Sequence, residues 1–258
     1  MTRVISGAVL VAAVVALVWL ASVEILAGVA ALVLMLATRE YATLAGDTRL
    51  QVSVVSTALA LAVGAVVATG SARLEVVLVS GFIALAAVAL TRGVDRTALS
   101  GLGAALVPSL YIGLPLGAIV AVRSIEGPAA LFLLMLTVMV SDTAQYYTGR
   151  LIGRRPLAPA ISPNKTVEGA IGGVLFGTLT FAVAGGWWLP RVDVVFRTLV
   201  GFAIVLLGMV GDLFESALKR AAGVKDSSAL IPGHGGILDR IDALLFAAPI
   251  YYVVLKYV

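Results

Sequence analysis

Long apolar runs recur from one end of this 258-residue chain to the other, and they limit what the chain can fold into. A run of about 17 to 25 apolar residues is long enough to cross the hydrocarbon core of a bilayer as an α-helix. Charged residues make up 12% of the chain and its mean hydropathy is +1.09, whereas a soluble domain typically carries about twice that share of charge. The sequence therefore predicts an all-α polytopic membrane protein.

About nine transmembrane helices are predicted, at residues 4–21, 24–44, 52–69, 74–91, 101–122, 128–149, 167–188, 196–217 and 238–256. The first run lacks a convincing small-x-small cleavage site and the second follows almost at once. We therefore interpret the first run as a retained helix and not as a signal peptide. Pro108 and Pro115, with several glycines, predict a kink or break in the fifth span.

The distribution of basic residues predicts the orientation of these spans, because cytoplasmic loops carry an excess of lysine and arginine. Of the 18 lysines and arginines, all but five lie at the amino terminus or near the loops after spans two, four, six and eight; the five are Arg73, Arg123, Arg191, Arg197 and Lys256. This places the amino terminus and the two long loops, residues 150–166 and 218–237, in the cytoplasm. The carboxyl terminus is predicted to lie outside.

Acidic residues gather at the cytoplasmic ends of the last four spans: Asp142, Glu168, Asp212, Glu215, Asp226, Asp239 and Asp242. A carboxylate within a span costs a few kcal/mol on insertion scales, so it usually faces protein, water or an ion. Helical spacing puts Asp212, Glu215 and Lys219 on one face, and Asp239 and Asp242 likewise share a face.

Carboxylates that converge in this way repel one another unless cations lie between them. The chain has no cysteine and one histidine, which excludes disulfides and thiolate metal sites. Hard oxygen donors suit Mg²⁺ better than zinc. The alternative is that the acids pair with basic neighbours, namely Lys219, Arg220, Lys225 and Arg240.

The segment SPNKTVEG, residues 162–169, opens the seventh span. Ser162 suits an N-cap and Pro163 the first helical position, which leaves free backbone N–H groups beside Lys165. A helix N-terminus with a lysine favours phosphate, and the alternative is an ordinary capped helix start. The small-residue ridge formed by Gly169 and the glycines four and eight residues later predicts close helix packing.

A second unusual segment is IPGHGG, residues 231–236, in which proline and three glycines exclude a regular helix. Such a loop can bring backbone N–H groups against a phosphate, or it can be a plain turn between helices. A lone His234 is more typical of a structural hydrogen bond than of a base or metal ligand. The run GRLIGRR, residues 149–155, fits both cytoplasmic topology and attraction of an anionic lipid headgroup.

Residues 216–242 resemble a known signature in order and spacing, that of the phosphatidate cytidylyltransferases (CDP-diacylglycerol synthases). The matching positions are Ser216, Leu218, Lys219, Arg220, Lys225, Asp226, Pro232, His234, Gly235, Gly236, Asp239, Arg240 and Asp242. Upstream, SDTAQYYTGRLIGRRPLAPAISPNKTVEG resembles the second conserved block of that family. The specific resemblance covers roughly residues 140–245.

The resemblance implies a reaction in which CTP and phosphatidate give CDP-diacylglycerol and pyrophosphate, with Mg²⁺ required and K⁺ as a possible second cation. It implies metal ligands among the aspartates, namely Asp142, Asp212, Asp226, Asp239 and Asp242. Asp212, Asp239, Asp242, Lys219 and Lys225 are the implied catalytic residues. The implied substrate-binding residues are Ser162, Lys165, Glu168, Arg220, His234 and Arg240.

The resemblance further implies a homodimer in a bacterial inner membrane, with the active site facing the cytoplasm and no nucleic-acid partner. Within one integrated membrane domain, residues 1–127 are expected to form a scaffold with lipid-access helices. Residues 128–258 are expected to form the catalytic region. A phosphate nucleophile is already largely ionised at neutral pH, so such a site needs positioning and charge neutralisation and no general base.

Two other functions remain as alternatives. A CTP-dependent polyprenol or dolichol-type lipid kinase would use similar groups but would transfer the γ-phosphoryl group to an alcohol. A cation transporter would use the acids as an ion path, although transporter acids usually lie near the membrane midplane. CTP labelled at the α or the γ phosphorus distinguishes the three functions.

Overall fold

The computed structural model describes residues 2–46, 50–70, 73–91, 98–231, 233 and 235–257. Within these ranges, nine α-helices follow in chain order: α1 Thr2–Leu20, α2 Val23–Leu44, α3 Leu50–Thr69, α4 Leu74–Leu90, α5 Ala98–Pro108, α6 Leu114–Ile152, α7 Val167–Trp188, α8 Val194–Ala221 and α9 Leu238–Tyr257. A π-helical segment, Ser109–Gly113, joins α5 to α6. A two-stranded antiparallel hairpin, β1 Pro156–Ala158 and β2 Ser162–Thr166, precedes α7. The prediction of a helical architecture is confirmed.

Three helical segments of the described chain are long and apolar enough to cross a membrane: Gly101–Ile152, Val167–Trp188 and Val194–Ala221. Shorter apolar helices lie at Val9–Leu20, Ser53–Thr69 and Leu74–Leu90. This is the composition of an integral membrane protein. Every predicted span falls on a helix, while the count of nine crossings and the orientation stay predictions.

The exposed side of α7 shows how the apolar surface is arranged. Ile171, Leu175 and Leu179 recur at every fourth position, and each side chain is more than half exposed. Residues four apart lie on one helix face, so they form a continuous apolar stripe. The rest of the described protein does not cover this stripe, and an exposed apolar stripe on a long apolar helix is typical of contact with lipid.

The predicted irregularity in the fifth span is present as a π-helical turn, but the backbone stays helical there and the span is not broken. Proline lacks a backbone N–H and its ring crowds the preceding turn, and here Pro108 ends α5 and is followed at once by the π-helical segment. Pro115 lies in the first turn of α6, where a missing N–H has little cost. A second irregularity falls at Gly127, whose φ of 79° is left-handed, between predicted spans five and six.

Close packing of α6 against α7 rests on the predicted glycine ridge. A Cβ on Gly169 would lie 2.7 Å from the carbonyl oxygen of Gln145, and one on Gly177 would lie 2.9 Å from Cβ of Ser141. Both separations are shorter than contacts that real side chains make. The prediction of close helix packing is therefore confirmed, and it brings α7 against the end of α6 that carries Asp142.

The predicted start of α7 is wrong in one respect. Ser162 and Pro163 are not its cap and first residue, because β2 pairs with β1 and holds them extended. Thr166 is the N-cap, and its hydroxyl accepts a hydrogen bond from Gly169 N. Lys165 is consequently the penultimate residue of a strand and does not lie beside the free N–H groups of a helix.

Candidate active site

The two long loops meet at one end of the helices. The Arg220 guanidinium, near the end of α8, donates from Nε to the carbonyl oxygen of Ile161 in the hairpin, at 3.2 Å. It also donates from Nη1 to the carbonyl oxygen of Val224, at 2.9 Å. Arg220 therefore holds the hairpin against the loop that follows α8, and both loops border the acidic residues of the last four helices.

Three carboxylates and one lysine form what we term the carboxylate–lysine cluster: Asp142 on α6, Lys165 on β2, Asp212 on α8 and Asp242 on α9. Lys165 forms an ion pair with Asp212. Asp142 and Asp242 both lie within electrostatic range of this pair. Four elements that are distant in sequence thus each contribute one charge to a single region.

Neutral partners of the cluster come from its own helices. Gln145 donates from Nε2 to Asp142 Oδ1 at 3.1 Å, one helical turn along α6. Ser216 donates weakly to Asp212 Oδ1 at 3.5 Å, one turn along α8. These hydrogen bonds orient the carboxylates of Asp142 and Asp212 along their own helices, but they bring no positive charge to the cluster. Among the four named members, negative charge exceeds positive charge.

The cluster fits a hard divalent cation in donor type and charge. Its donors are carboxylate oxygens, which Mg²⁺ prefers, and its formal charge is negative. Within the described ranges, however, no three His, Cys, Asp or Glu side chains come close enough together to hold one metal ion. Donor chemistry and charge therefore match Mg²⁺, while the observed spacing is not a coordination shell.

A second group of charges centres on Lys219. Its ammonium group forms ion pairs with Glu215, four residues earlier on α8, and with Asp239 Oδ1 on α9, at 2.5 Å for the latter. The Glu215 side chain is fully buried and that of Lys219 is 12% exposed. The predicted face of Asp212, Glu215 and Lys219 therefore divides, because Asp212 joins the cluster while the other two residues join α8 to α9.

Asp239 has donors for both carboxylate oxygens. Oδ1 faces Lys219, and Oδ2 accepts hydrogen bonds from Ser227 N, Ser227 Oγ and Gly236 N, at 2.8 to 2.9 Å. A carboxylate accepts about four hydrogen bonds when satisfied. In the structure Asp239 anchors the loop that precedes α9, and the metal-ligand role that the family resemblance implies for it stays a prediction.

The glycine-rich loop is bonded to the protein at its carboxyl-terminal end. Gly233 and Gly235 have left-handed φ values of 76° and 79°, which glycine adopts without strain. The Gly236 N–H donates to Asp239, so that donor is not directed at a ligand. His234 and Pro232, which the sequence singled out, lie outside the described residues.

The remaining predicted residues lie at the edge of the site. Lys225, Asp226 and Arg240 are exposed, and Ser162 is half-buried in β2. The Glu168 carboxylate, in the first turn of α7, accepts hydrogen bonds from the backbone N–H groups of residues 154 and 155, at 2.9 and 3.1 Å. Glu168 therefore closes the connection from α6 to the hairpin, a role that the sequence did not reveal.

Sequence reasoning also missed two residues of the first half of the chain. Glu40, on α2, is 6% exposed and accepts hydrogen bonds from residues next to Asp239. Tyr111, in the π-helical segment, is 7% exposed, and its hydroxyl has no hydrogen-bond partner among the described residues. Its ring packs edge-to-face against Phe214 on α8 and Phe246 on α9. The sequence did contain a signal for each residue. Glu40 is a carboxylate inside a predicted apolar span, and Tyr111 lies between the two prolines of the fifth span.

Comparison with known proteins identifies the family. The model of the cytidylyltransferase family matches residues 1–258. A phosphatidate cytidylyltransferase of Staphylococcus epidermidis is 38% identical over 178 residues, 68% of each chain. One of Helicobacter pylori strain J99 is 40% identical over 153 residues, 59% of this chain and 57% of the relative.

An uncharacterized protein of Escherichia coli K12, YnbB, is 43% identical over 135 residues, 52% of this chain and 45% of the relative. The chain thus spans about half the length of the first curated relatives that it matches. The match to the family model extends over the whole sequence, and it agrees with the resemblance of residues 140–245. The chain belongs to the cytidylyltransferase family.

Proposed function

We propose that this protein transfers the cytidylyl group of CTP to phosphatidate, giving CDP-diacylglycerol and pyrophosphate. In the reaction, an oxygen of the lipid phosphate attacks the α-phosphorus of CTP. The bond from that phosphorus to the oxygen bridging to the β-phosphorus breaks, and pyrophosphate leaves with the bonding electrons. Two relatives named phosphatidate cytidylyltransferases support the proposal.

The observation that carries the proposal is the carboxylate–lysine cluster. Its charges come from α6, α8, α9 and the hairpin, at the end of the molecule where the basic loops meet. A reaction between two phosphate groups brings several negative charges together, and catalysis then depends on positioning and charge neutralisation. A half-buried lysine among carboxylates suits that task.

Mg²⁺ is the proposed cofactor, and Asp142, Asp212 and Asp242 are its proposed ligands. They would have to approach one another more closely than in this structure to hold the ion, which would neutralise charge on the triphosphate. Asp239 is reassigned to anchoring the loop, because both its oxygens already have donors. The family resemblance also keeps Asp226 as a candidate metal ligand. It keeps K⁺ as a candidate second cation.

Binding of the two phosphate substrates is proposed for the cations around this cluster. Lys165 lies within it, and Lys225 in the loop after α8 and Arg240 in the first turn of α9 are exposed. Arg220 and Lys219 have protein partners, so we assign them to holding the loops in place more than to gripping pyrophosphate. Ser162, Glu168 and His234 keep supporting roles.

The setting of the enzyme is also a proposal. The distribution of basic residues supports an active site that faces the cytoplasm, and the bacterial relatives support an inner-membrane protein. A homodimer follows from the family resemblance alone. Residues 1–127 are proposed as scaffold and residues 128–258 as the catalytic region; the bend at Gly127 falls at this boundary.

The test is a transfer assay with purified protein, phosphatidate and CTP labelled at the α- or γ-phosphorus. Label from the α position in the lipid product supports cytidylyl transfer. Label from the γ position would instead identify a lipid kinase, and label from neither would overturn the proposal and favour transport. Asp212→Asn is the matched control: it removes a charge of the cluster while keeping the shape of the side chain, and it should transfer little or no label to the lipid.

A further inference from the structure

Glu40 lies on α2, far in sequence from the carboxylate–lysine cluster, yet its carboxylate accepts hydrogen bonds from the loop before α9 and from the first residue of α9. Oε1 accepts hydrogen bonds from Ser228 Oγ at 2.6 Å and from Ile237 N at 2.9 Å. Oε2 accepts from Leu238 N at 2.9 Å, and it competes with Asp239 Oδ2 for the single hydroxyl proton of Ser227, whose Oγ lies 2.9 Å from Glu40 and 2.8 Å from Asp239. The side chain is 6% exposed, so protein donors replace water on both oxygens.

Two of these donors belong to the start of α9. The first N–H groups of a helix have no partner within the helix, and the helix dipole favours negative charge there. Glu40 receives the N–H groups of Ile237 and Leu238, and so caps α9 from another helix. Moving a carboxylate into an apolar region is costly, and three donors of its own, with the shared Ser227 hydroxyl as a fourth, stabilise Glu40 in this position.

Gly236 shows how closely the parts fit together. A Cβ at this position would lie 2.1 Å from Ser227 Oγ and 2.5 Å from Glu40 Oε2. Those separations are too short for any side chain, and the obstructing atoms are held by hydrogen bonds. Glycine at position 236 is therefore required by the close approach of Ser227 and of Glu40 on α2.

The contact reaches the acidic cluster through α9. Asp242 lies one helical turn after Leu238, so the position of the α9 start determines where its carboxylate lies. On the other side, a Cβ on Gly211 of α8 would meet the carbonyl oxygen of Asp242 at 2.5 Å. Asp242 is thus positioned by the packing of α8 on one side and by the cap from α2 at the helix start.

We propose that Glu40 is a positioning residue, which holds residues 227–228 and the start of α9 so that Asp242 joins Asp142, Lys165 and Asp212. The part of the proposal that concerns turnover rests on the proposed cytidylyl transfer. The part that concerns the loop does not. The amino-terminal half of the chain would then complete the active site as well as support it.

The experiment compares Glu40→Gln with Glu24→Gln. Glu24 is an exposed carboxylate at the other end of the same helix, which makes it a matched control. Backbone amide exchange is measured first, on substrate-free protein. The amide side chain introduced by Glu40→Gln has one acceptor oxygen and an NH₂ group that faces donors, so the amides of Ile237 and Leu238 should exchange about tenfold faster or more. Glu24→Gln should leave them unchanged.

Turnover is measured next on the same preparations. We expect Glu40→Gln to lower kcat by about tenfold or more with a smaller change in KM for CTP, because the reacting groups are misplaced while exposed cations still bind nucleotide. Glu40→Asp should restore part of kcat, since it keeps the charge but shortens the reach. A merely structural role would lower the yield of folded protein without this division between kcat and KM.

Each outcome decides one part of the proposal. Unchanged exchange at 237–238 in Glu40→Gln would overturn the cap, whatever the activity. Faster exchange with unchanged kcat would overturn the positioning role. If Glu40→Gln fails to fold, Ser228→Ala removes a single donor and should give a smaller change in the same direction. Absence of cytidylyl transfer in the unaltered protein would refute the proposed function, and the exchange data would still decide the cap.

Discussion

Lys165 forms an ion pair with Asp212, and this contact joins the hairpin before α7 to the carboxyl-terminal third of α8. Both side chains are mainly covered by protein, at 22% and 30% exposed. Since Asp142 and Asp242 are close enough to interact with the pair, Lys165 is the positive member of a group with three negative ones. The cluster therefore depends on a strand residue that the sequence had placed at a helix start.

Lys165→Met should abolish most cytidylyl transfer. The change removes the positive charge of the cluster but keeps the length of the side chain, so the carboxylates repel each other and a phosphate loses its partner. Removal of one electrostatic contact in an active site typically costs about a hundredfold or more in turnover. Lys256→Met, an exposed lysine near the end of α9, is the control and should change turnover little. Equal activity of both variants would contradict the assignment.

Asp242→Asn and Asp239→Asn should fail in different ways. Asp242 belongs to the carboxylate–lysine cluster, so the Asp242→Asn variant should need a higher Mg²⁺ concentration for half-maximal activity. Asp239 anchors the loop, so the Asp239→Asn variant should have lower thermal stability and an unchanged Mg²⁺ requirement. Hydrogen bonds to a charged group contribute about 1.5 to 3 kcal/mol each, which an unfolding curve in detergent detects. A raised Mg²⁺ requirement in Asp239→Asn would restore it as a metal ligand.

The ion pairs of Lys219 should be worth more to stability than a surface pair. Lys219→Met leaves Glu215 and Asp239 buried without their cation, and breaking a buried pair typically costs about 3 to 5 kcal/mol. Glu215→Gln should cost less, because Lys219 keeps Asp239. The melting temperatures of the two variants and of the double variant test this order. A Lys219→Met protein as stable as the unaltered one would show that the pairs contribute nothing.

Much of the helical layout could be predicted from the sequence, because the length of an apolar run determines a helix regardless of distant contacts. The seventh predicted span, residues 167–188, coincides with α7 Val167–Trp188. The same holds for the π-helical turn after Pro108, since proline acts on its own turn. Glycine spacing likewise predicted the close packing of α6 and α7.

The pairing of charges could not be predicted in this way. Helical spacing put Asp212, Glu215 and Lys219 on one face, but which neighbour each one meets depends on how α9 and the hairpin pack. Glu40 meets donors nearly two hundred residues away in the sequence. Thr166, and not Ser162, caps α7 because strand pairing holds Ser162 extended, which is a tertiary effect on a local choice.

Topology should be testable by cysteine labelling, since the chain has no cysteine of its own. Ala160, in the hairpin turn, and Ala229, in the loop after α8, are exposed. Cysteines there should react with an impermeant reagent only from the cytoplasmic side. Ser227 is unsuitable, because it is 6% exposed and bonded to Glu40. Pro190→Cys, at the opposite end of α7, should react only from outside, and the reverse pattern would contradict the predicted orientation.

The last prediction separates nucleotide binding from lipid binding among the exposed cations. Lys225 and Arg155 are both exposed, and the hydrogen bonds of Arg155 to the start of α7 come from its backbone: its N–H donates to Glu168 and its carbonyl oxygen accepts from Val167 N. Lys225→Ala should lower kcat/KM for CTP by about tenfold or more, as expected for loss of a hydrogen bond between charged groups. Arg155→Ala keeps the backbone contact with Glu168, so the hairpin should stay in place.

Arg155 lies in the basic run that is expected to attract an anionic headgroup. Its alanine variant should therefore leave the dependence of rate on CTP concentration unchanged and raise the phosphatidate concentration needed for half-maximal rate. Each variant is assayed with CTP varied at saturating phosphatidate, and with phosphatidate varied at saturating CTP. If Arg155→Ala impaired the use of CTP as much as Lys225→Ala does, the two loops would serve one substrate together, and the division between them would be wrong.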